Sequence, residues 1–127
     1  MTKPTTGQIG RLRALGKLTE LALEARLVKL RRAAELRDAT CAALAVLNTP
    51  RPAPEGDLPL SALARSNLLY DLWADRQRRE MNLKLARETA LWLEERADAS
   101  TAFGRNDVLN RLAHDLKARL AKLPPKP

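Results

Sequence analysis

Apolar residues recur every three to four positions through two long stretches of this chain, and a proline-rich break separates them. In the first stretch Leu23, Leu27, Leu30, Ala34, Cys41 and Leu44 follow helical steps and share one face. Leu18, Ala22, Ala25, Leu36, Ala39 and Ala43 form a flanking stripe of mostly smaller residues. The helix these positions predict runs over 8–48. Thr6 is its expected N-cap, Gly7, Gly10 and Gly16 weaken its first turns, and Asn48 is its expected stop. The break, Thr49 to Pro59, holds four of the eight prolines and one of the five glycines. Proline lacks an amide proton and clashes with the preceding turn, so no helix passes through.

The second stretch starts after the elbow at 49–57, with Asp57 as the expected N-cap and Pro59 tolerated in the first turn. Leu63, Tyr70, Ala74, Met81, Leu85, Trp92, Ala99 and Phe103 project onto one stripe. Leu68, Leu72, Leu83, Ala86, Ala90, Leu93 and Ala97 project onto a second, on a different side. One stripe suffices to pair with the first helix, so the second implies a further partner. Residues 58–122 as one helix would reach about 97 Å against about 61 Å for 8–48. That predicts an overhang beginning near Ala99.

Ser100 to Asp107 interrupts the pattern there. Gly104 and the Asn106-Asp107 pair favour a break, after which Leu109, Leu112, Leu116, Leu120 and Leu123 form an amphipathic stripe. Two conformations fit: a continuous or gently kinked helix that projects, or a short third helix that folds back. The first is preferred. Heptads can be threaded through Met81, Leu85, Trp92, Ala99, Leu109, Leu116 and Leu123, at the expense of placing Glu88, Glu95 and Asn106 in the seam. The predicted fold is therefore all-α, a single domain over 1–127. It is an antiparallel two-helix coiled-coil hairpin with arm 8–48, elbow 49–57, arm 58–100 and tail helix 105–122.

Composition agrees with a seam rather than a thick core, since aromatic residues make up 3% of the 127 and charged ones 30%. Net charge is +8, spread as nine basic against four acidic residues over 1–48, seven against seven over 58–103, and six against two over 104–127. A hairpin gathers that excess at its open end, where it can attract nucleic acid or an acidic protein. The N-terminal residues carry no apolar signal core, and Ala39 to Pro50, a charge-free run, is too short to span a bilayer. A single cysteine fits a reducing compartment, so the expected location is cytoplasmic, with no membrane span.

Catalytic chemistry finds little support. His114, the only histidine, sits beside Asp115 in the tail and reads as a surface residue, and Cys41 reads as a small core residue. One Cys and one His make no structural zinc site, and no glycine-rich phosphate loop or Glu-x-x-His pair is present. No catalytic residue, cofactor or metal is predicted. Arg76-Gln77-Arg78-Arg79 lies among Asp71, Asp75 and Glu80, which predicts surface ion pairs. The predicted partner-binding residues lie at the thin end instead: Trp92, Phe103, Leu109, Leu112, Leu116 and Leu120, with Arg105, Arg111 and Arg119 around them.

Leu72-Trp73 through Arg78-Arg79-Glu80-Met81-Asn82, and Ala97 to Leu112 with Ala102-Phe103-Gly104-Arg105, resemble the FliJ/YscO-like stalk family of flagellar and type III export machines. The layout is similar too, although the shorter first arm and the proline-rich elbow depart from better-known members of that family. The resemblance implies a cytoplasmic coiled-coil hairpin that inserts into an export ATPase ring and touches the export gate and chaperones, making and breaking no bond itself. Two alternatives stand beside it: a basic helical nucleic-acid-binding protein, and a homodimeric structural coiled coil.

Overall fold

The computed structural model describes residues 5–51 and 56–123. It contains two α-helices, α1 (Thr6–Asn48) and α2 (Leu60–Ala121), packed against each other as a hairpin, and no strand among the described residues. Pro52 to Glu55 of the predicted elbow, and the Pro124-Pro125 stop, lie outside the described residues.

Local chemistry sets the helix ends. Thr5 donates its N–H to Gln8 Oε1 at 3.0 Å and accepts the N–H of Gln8 on its hydroxyl at 3.3 Å. This is a capping box, so Thr5 and not Thr6 is the N-cap. At the other end of α1, Thr49 donates its N–H to the carbonyl of Val46 at 3.2 Å, and its hydroxyl bonds the carbonyl of Ala45 at 2.9 Å. Gly56 follows with φ of 124°, a conformation that suits a residue without Cβ. The carbonyl of Pro59 accepts the first helical bond of α2, from the N–H of Leu63 at 3.0 Å. Asp57 therefore lies too far back to be the N-cap.

Helix α2 runs unbroken through Ser100 to Asp107. The separate tail helix at 105–122 and the fold-back third helix are corrected accordingly. Gly104 costs about 1 kcal/mol in a helix interior. Ala99, Ala102 and Asn106 around it are buried or half-buried against α1, and packing outweighs that local preference.

The hairpin comprises two compact units. In the unit formed by residues up to 31 and from 94, α1 turns Ile9, Leu12, Gly16, Thr19, Leu23, Arg26 and Leu30 inward, in alternating steps of three and four. Ala99, Ala102, Asn106, Leu109, Ala113, Leu116 and Leu120 of α2 follow the same steps. The register is pinned where the hydroxyl of Thr19 meets Asn106 Oδ1 at 3.0 Å and where Arg26 meets Asp98 at 3.4 Å. In the unit of residues 32–93, Ala33, Arg37, Thr40, Leu44 and Leu47 face Arg78, Met81, Leu85, Glu88 and Trp92. There the Thr40 hydroxyl bonds Glu88, Arg37 Nε donates to Thr89 Oγ1 at 3.2 Å, and the Arg37 guanidinium lies 5.2 Å from the Trp92 ring centre.

The period is 3.5, that of a heptad seam, which displaces the α1 face read from apolar residues alone. Leu23, Leu30 and Leu44 are seam positions as expected, but Leu27 and Cys41 are exposed, and Arg26 and Thr40 take the places beside them. Cys41 is thus no core residue. On α2 the expected stripe from Leu63 to Ala99 is buried or half-buried, and only Phe103 leaves it. Glu88 and Asn106 do enter the seam, and each finds a threonine across from it. Glu95 has no such match: its Oε2 is buried without a hydrogen-bond partner among the described residues.

Candidate interaction surfaces

The end of α1 is fastened by Arg78. Its guanidinium donates to the carbonyl of Leu47 at 3.0 Å and to Asn48 Oδ1 at 3.1 Å, and pairs with Asp75 at 2.8 Å. A cation on the last carbonyls of a helix opposes their partial negative charge. The contact also fixes where α1 stops along its partner. Leu60 to Gln77, about 27 Å of helix, run on past it. Arg51 lies back along this extension, with its guanidinium 4.7 Å from the ring centre of Tyr70, which in turn sits 5.7 Å from Trp73.

The unequal arm lengths are therefore taken up at the elbow and not beyond Ala99. In the other unit Thr19 lies beside Asn106, and continuing that register brings the last turns of α2 alongside the first turns of α1. The physical reason is that the register is set by three polar contacts that length alone does not reveal: Thr19 with Asn106, Arg26 with Asp98, and Arg78 with the end of α1.

This changes the standing of the nine predicted partner-binding residues. Leu109, Leu116 and Leu120 are half-buried seam residues, and Trp92 is half-buried under Arg37. Phe103 is 61% exposed and Leu112 47% exposed, while Arg105 and Arg119 are exposed. Arg111 is exposed and pairs with Asp107 at 3.1 Å on its own helix. The structure does not gather these residues into one projecting face.

Other exposed apolar positions form coherent surfaces. Beside the seam of the first unit, Leu15, Leu18, Ala22, Thr101 and Arg105 line an open groove of about 400 Å³, edged by the Arg26–Asp98 pair. Leu18 and Ala22 belong to the flanking stripe read from the sequence, and a heptad wheel would have added Leu15. On α2, Leu68, Leu72, Leu83, Ala86, Ala90, Leu93 and Ala97 are all exposed, so the hairpin leaves the second stripe uncovered. The buried apolar residues among those described are Ile9, Ala33, Leu47, Ala74 and Ala99, three of them alanines.

Charge divides unevenly. Residues 1–31 and 94–127 carry fourteen basic and seven acidic side chains, whereas 32–93 carry nine and eight. Nearly all of the net charge thus belongs to the first unit. There, a second groove brings Arg13, Lys17 and Lys117 together with Glu20 and His114. Among the described residues, no three His, Cys, Asp or Glu side chains are grouped to hold a metal, and no helix is long and apolar enough to cross a membrane. No family model, curated protein or solved structure matches the chain.

Proposed function

We propose that this chain is a non-enzymatic adaptor, a helical hairpin that docks other proteins along its outer faces. The observation that carries the reading is the second stripe of α2: its own hairpin seam is complete without it, and every residue in it is exposed. Large exposed apolar runs on a helix are costly to leave in water and typical of interaction surfaces. The resemblance of Leu72 to Asn82 and of Ala97 to Leu112 to FliJ/YscO-like stalk proteins supplies the setting: a cytoplasmic component of a flagellar or type III export apparatus, with the export ATPase or an export chaperone as partner. Phe103, Arg105, Arg111, Leu112 and Arg119 are the predicted binding residues whose exposure suits them to contact it directly.

Photo-crosslinking from position 83 and from position 112 in cells tests this. Crosslinks to an export ATPase, gate or chaperone subunit support the adaptor reading, and crosslinks confined to copies of this chain refute it.

A second reading rests on the concentration of net charge in the unit holding both chain ends. That unit would bind nucleic acid by contacts with phosphates, including those from Arg13, Lys17 and Lys117. Such binding weakens steeply as salt rises. Absence of any mobility shift with duplex or single-stranded nucleic acid at low salt excludes it.

A further inference from the structure

We propose that the outward face of α2 between Leu69 and Leu93 is a second heptad seam, and that it receives one amphipathic helix of a different protein, with acidic residues opposite Arg76 and Arg79. The inference rests on the adaptor reading and names the surface and the partner's chemistry.

The spacing carries the first half. Leu69, Leu72, Arg76, Arg79, Leu83, Ala86, Ala90 and Leu93 follow one another in strict alternation of three and four residues, and every one is exposed. Such alternation is the signature of a seam meant for another helix. It lies on the side of α2 opposite the Arg78–Met81–Leu85–Glu88–Trp92 seam that meets α1. All eight residues belong to the unit of residues 32–93. Ala86 and Ala90, a full turn apart, let a partner backbone come close, since interaxial distance follows side-chain size.

Charge selects the occupant. Arg76 and Arg79 sit within the seam, and neither forms an ion pair among the described residues; Asp75 is taken by Arg78. A second copy of this chain fits poorly. Paired in parallel, it sets Arg76 on Arg76 and Arg79 on Arg79. Paired antiparallel with Ala86 opposite Ala90, it sets Arg79 opposite Ala97 and Arg76 opposite Ser100, so neither cation meets a carboxylate in the seam. Like charges placed face to face are destabilising and steer partner choice. A helix with aliphatic seam residues and glutamates facing the two arginines meets both demands, burying the leucines and neutralising the cations.

The test uses the full chain and two fluorescein-labelled synthetic helical peptides with the same leucine–alanine seam. One carries Glu at the two positions that face Arg76 and Arg79, and the other carries Lys there. Fluorescence anisotropy should show the Glu peptide binding at least about tenfold more tightly, the size expected when two partly exposed pairs are reversed. Arg76→Glu/Arg79→Glu should invert that preference with the helical circular dichroism unchanged, because both positions are exposed. Leu83→Asp/Leu93→Asp should abolish binding of both peptides.

Equal binding of the two peptides, or binding of neither, overturns the proposal. So does a dimer in sedimentation that Leu83→Asp/Leu93→Asp dissociates, since a second copy then occupies the seam. If crosslinking to export components persists while the peptides fail to discriminate, the adaptor reading stands and this surface is wrong. If the peptides discriminate but no export component is captured, the seam is correct and the export setting is wrong.

Discussion

Replacing Arg78 by alanine should fray the end of α1 before it unfolds the hairpin. The guanidinium holds the Leu47 carbonyl at 3.0 Å and Asn48 Oδ1 at 3.1 Å, from a side chain 35% exposed. A hydrogen bond to a charged group contributes about 1.5–3 kcal/mol when sheltered. Partial exposure lowers that figure, and ordering a long arginine offsets part of it, by up to about 2 kcal/mol. The net loss should be about 1 kcal/mol, or about 3–6 °C in melting temperature for a chain of this length. Arg78→Lys keeps the charge but not the fork and should recover roughly half of the loss. Asp75→Ala should cost less than about 0.5 kcal/mol, because that ion pair is the exposed part of the cluster and the two contacts to α1 survive. Thermal circular dichroism reads the global effect, and amide hydrogen exchange of residues 44–49 reads the local one. If Arg78→Ala melts within 1 °C of wild type, and exchange at the end of α1 is unchanged, the fastening role assigned to Arg78 is wrong.

Three further outcomes follow from the seam. Gly104→Ala should raise stability by about 0.5–1 kcal/mol, since nothing lies within 4 Å of the added methyl; a lower melting temperature would contradict the unbroken helix. Ala99→Leu overfills a buried position and should cost about 1–3 kcal/mol in urea denaturation, whereas a neutral result would mean the helices are not close there. Thr40→Val alone removes the partner of Glu88 and should destabilise by about 1–3 kcal/mol, while Thr40→Val/Glu88→Leu should return to near wild type. A double variant no better than the single would show that the pair does not act as a unit.

How much was legible in advance depends on which residues carried the information. Leu63, Tyr70, Ala74, Met81, Leu85, Trp92 and Ala99 announced the inner face of α2, because each is apolar and the face is continuous. The α1 face was legible only in part. Its seam includes Arg26, Arg37 and Thr40, and an apolar pattern steps past Arg26 and Thr40 to Leu27 and Cys41. The candidate surface moved for a related reason. Arm lengths were readable from the proline-rich break, but the offset between the arms was not, so the extension was placed after Ala99 when it occupies Leu60 to Gln77.

By itself the sequence determined an all-helical chain, one proline-rich reversal, and two apolar stripes on the second arm, since proline chemistry and helical periodicity act locally. Only the tertiary structure decided register, the continuity of α2 through Gly104, and which stripe remains bare. Those depend on pairings across the hairpin, Thr19 with Asn106, Thr40 with Glu88 and Arg78 with the end of α1, and such pairings join residues 30 to 87 positions apart in the chain.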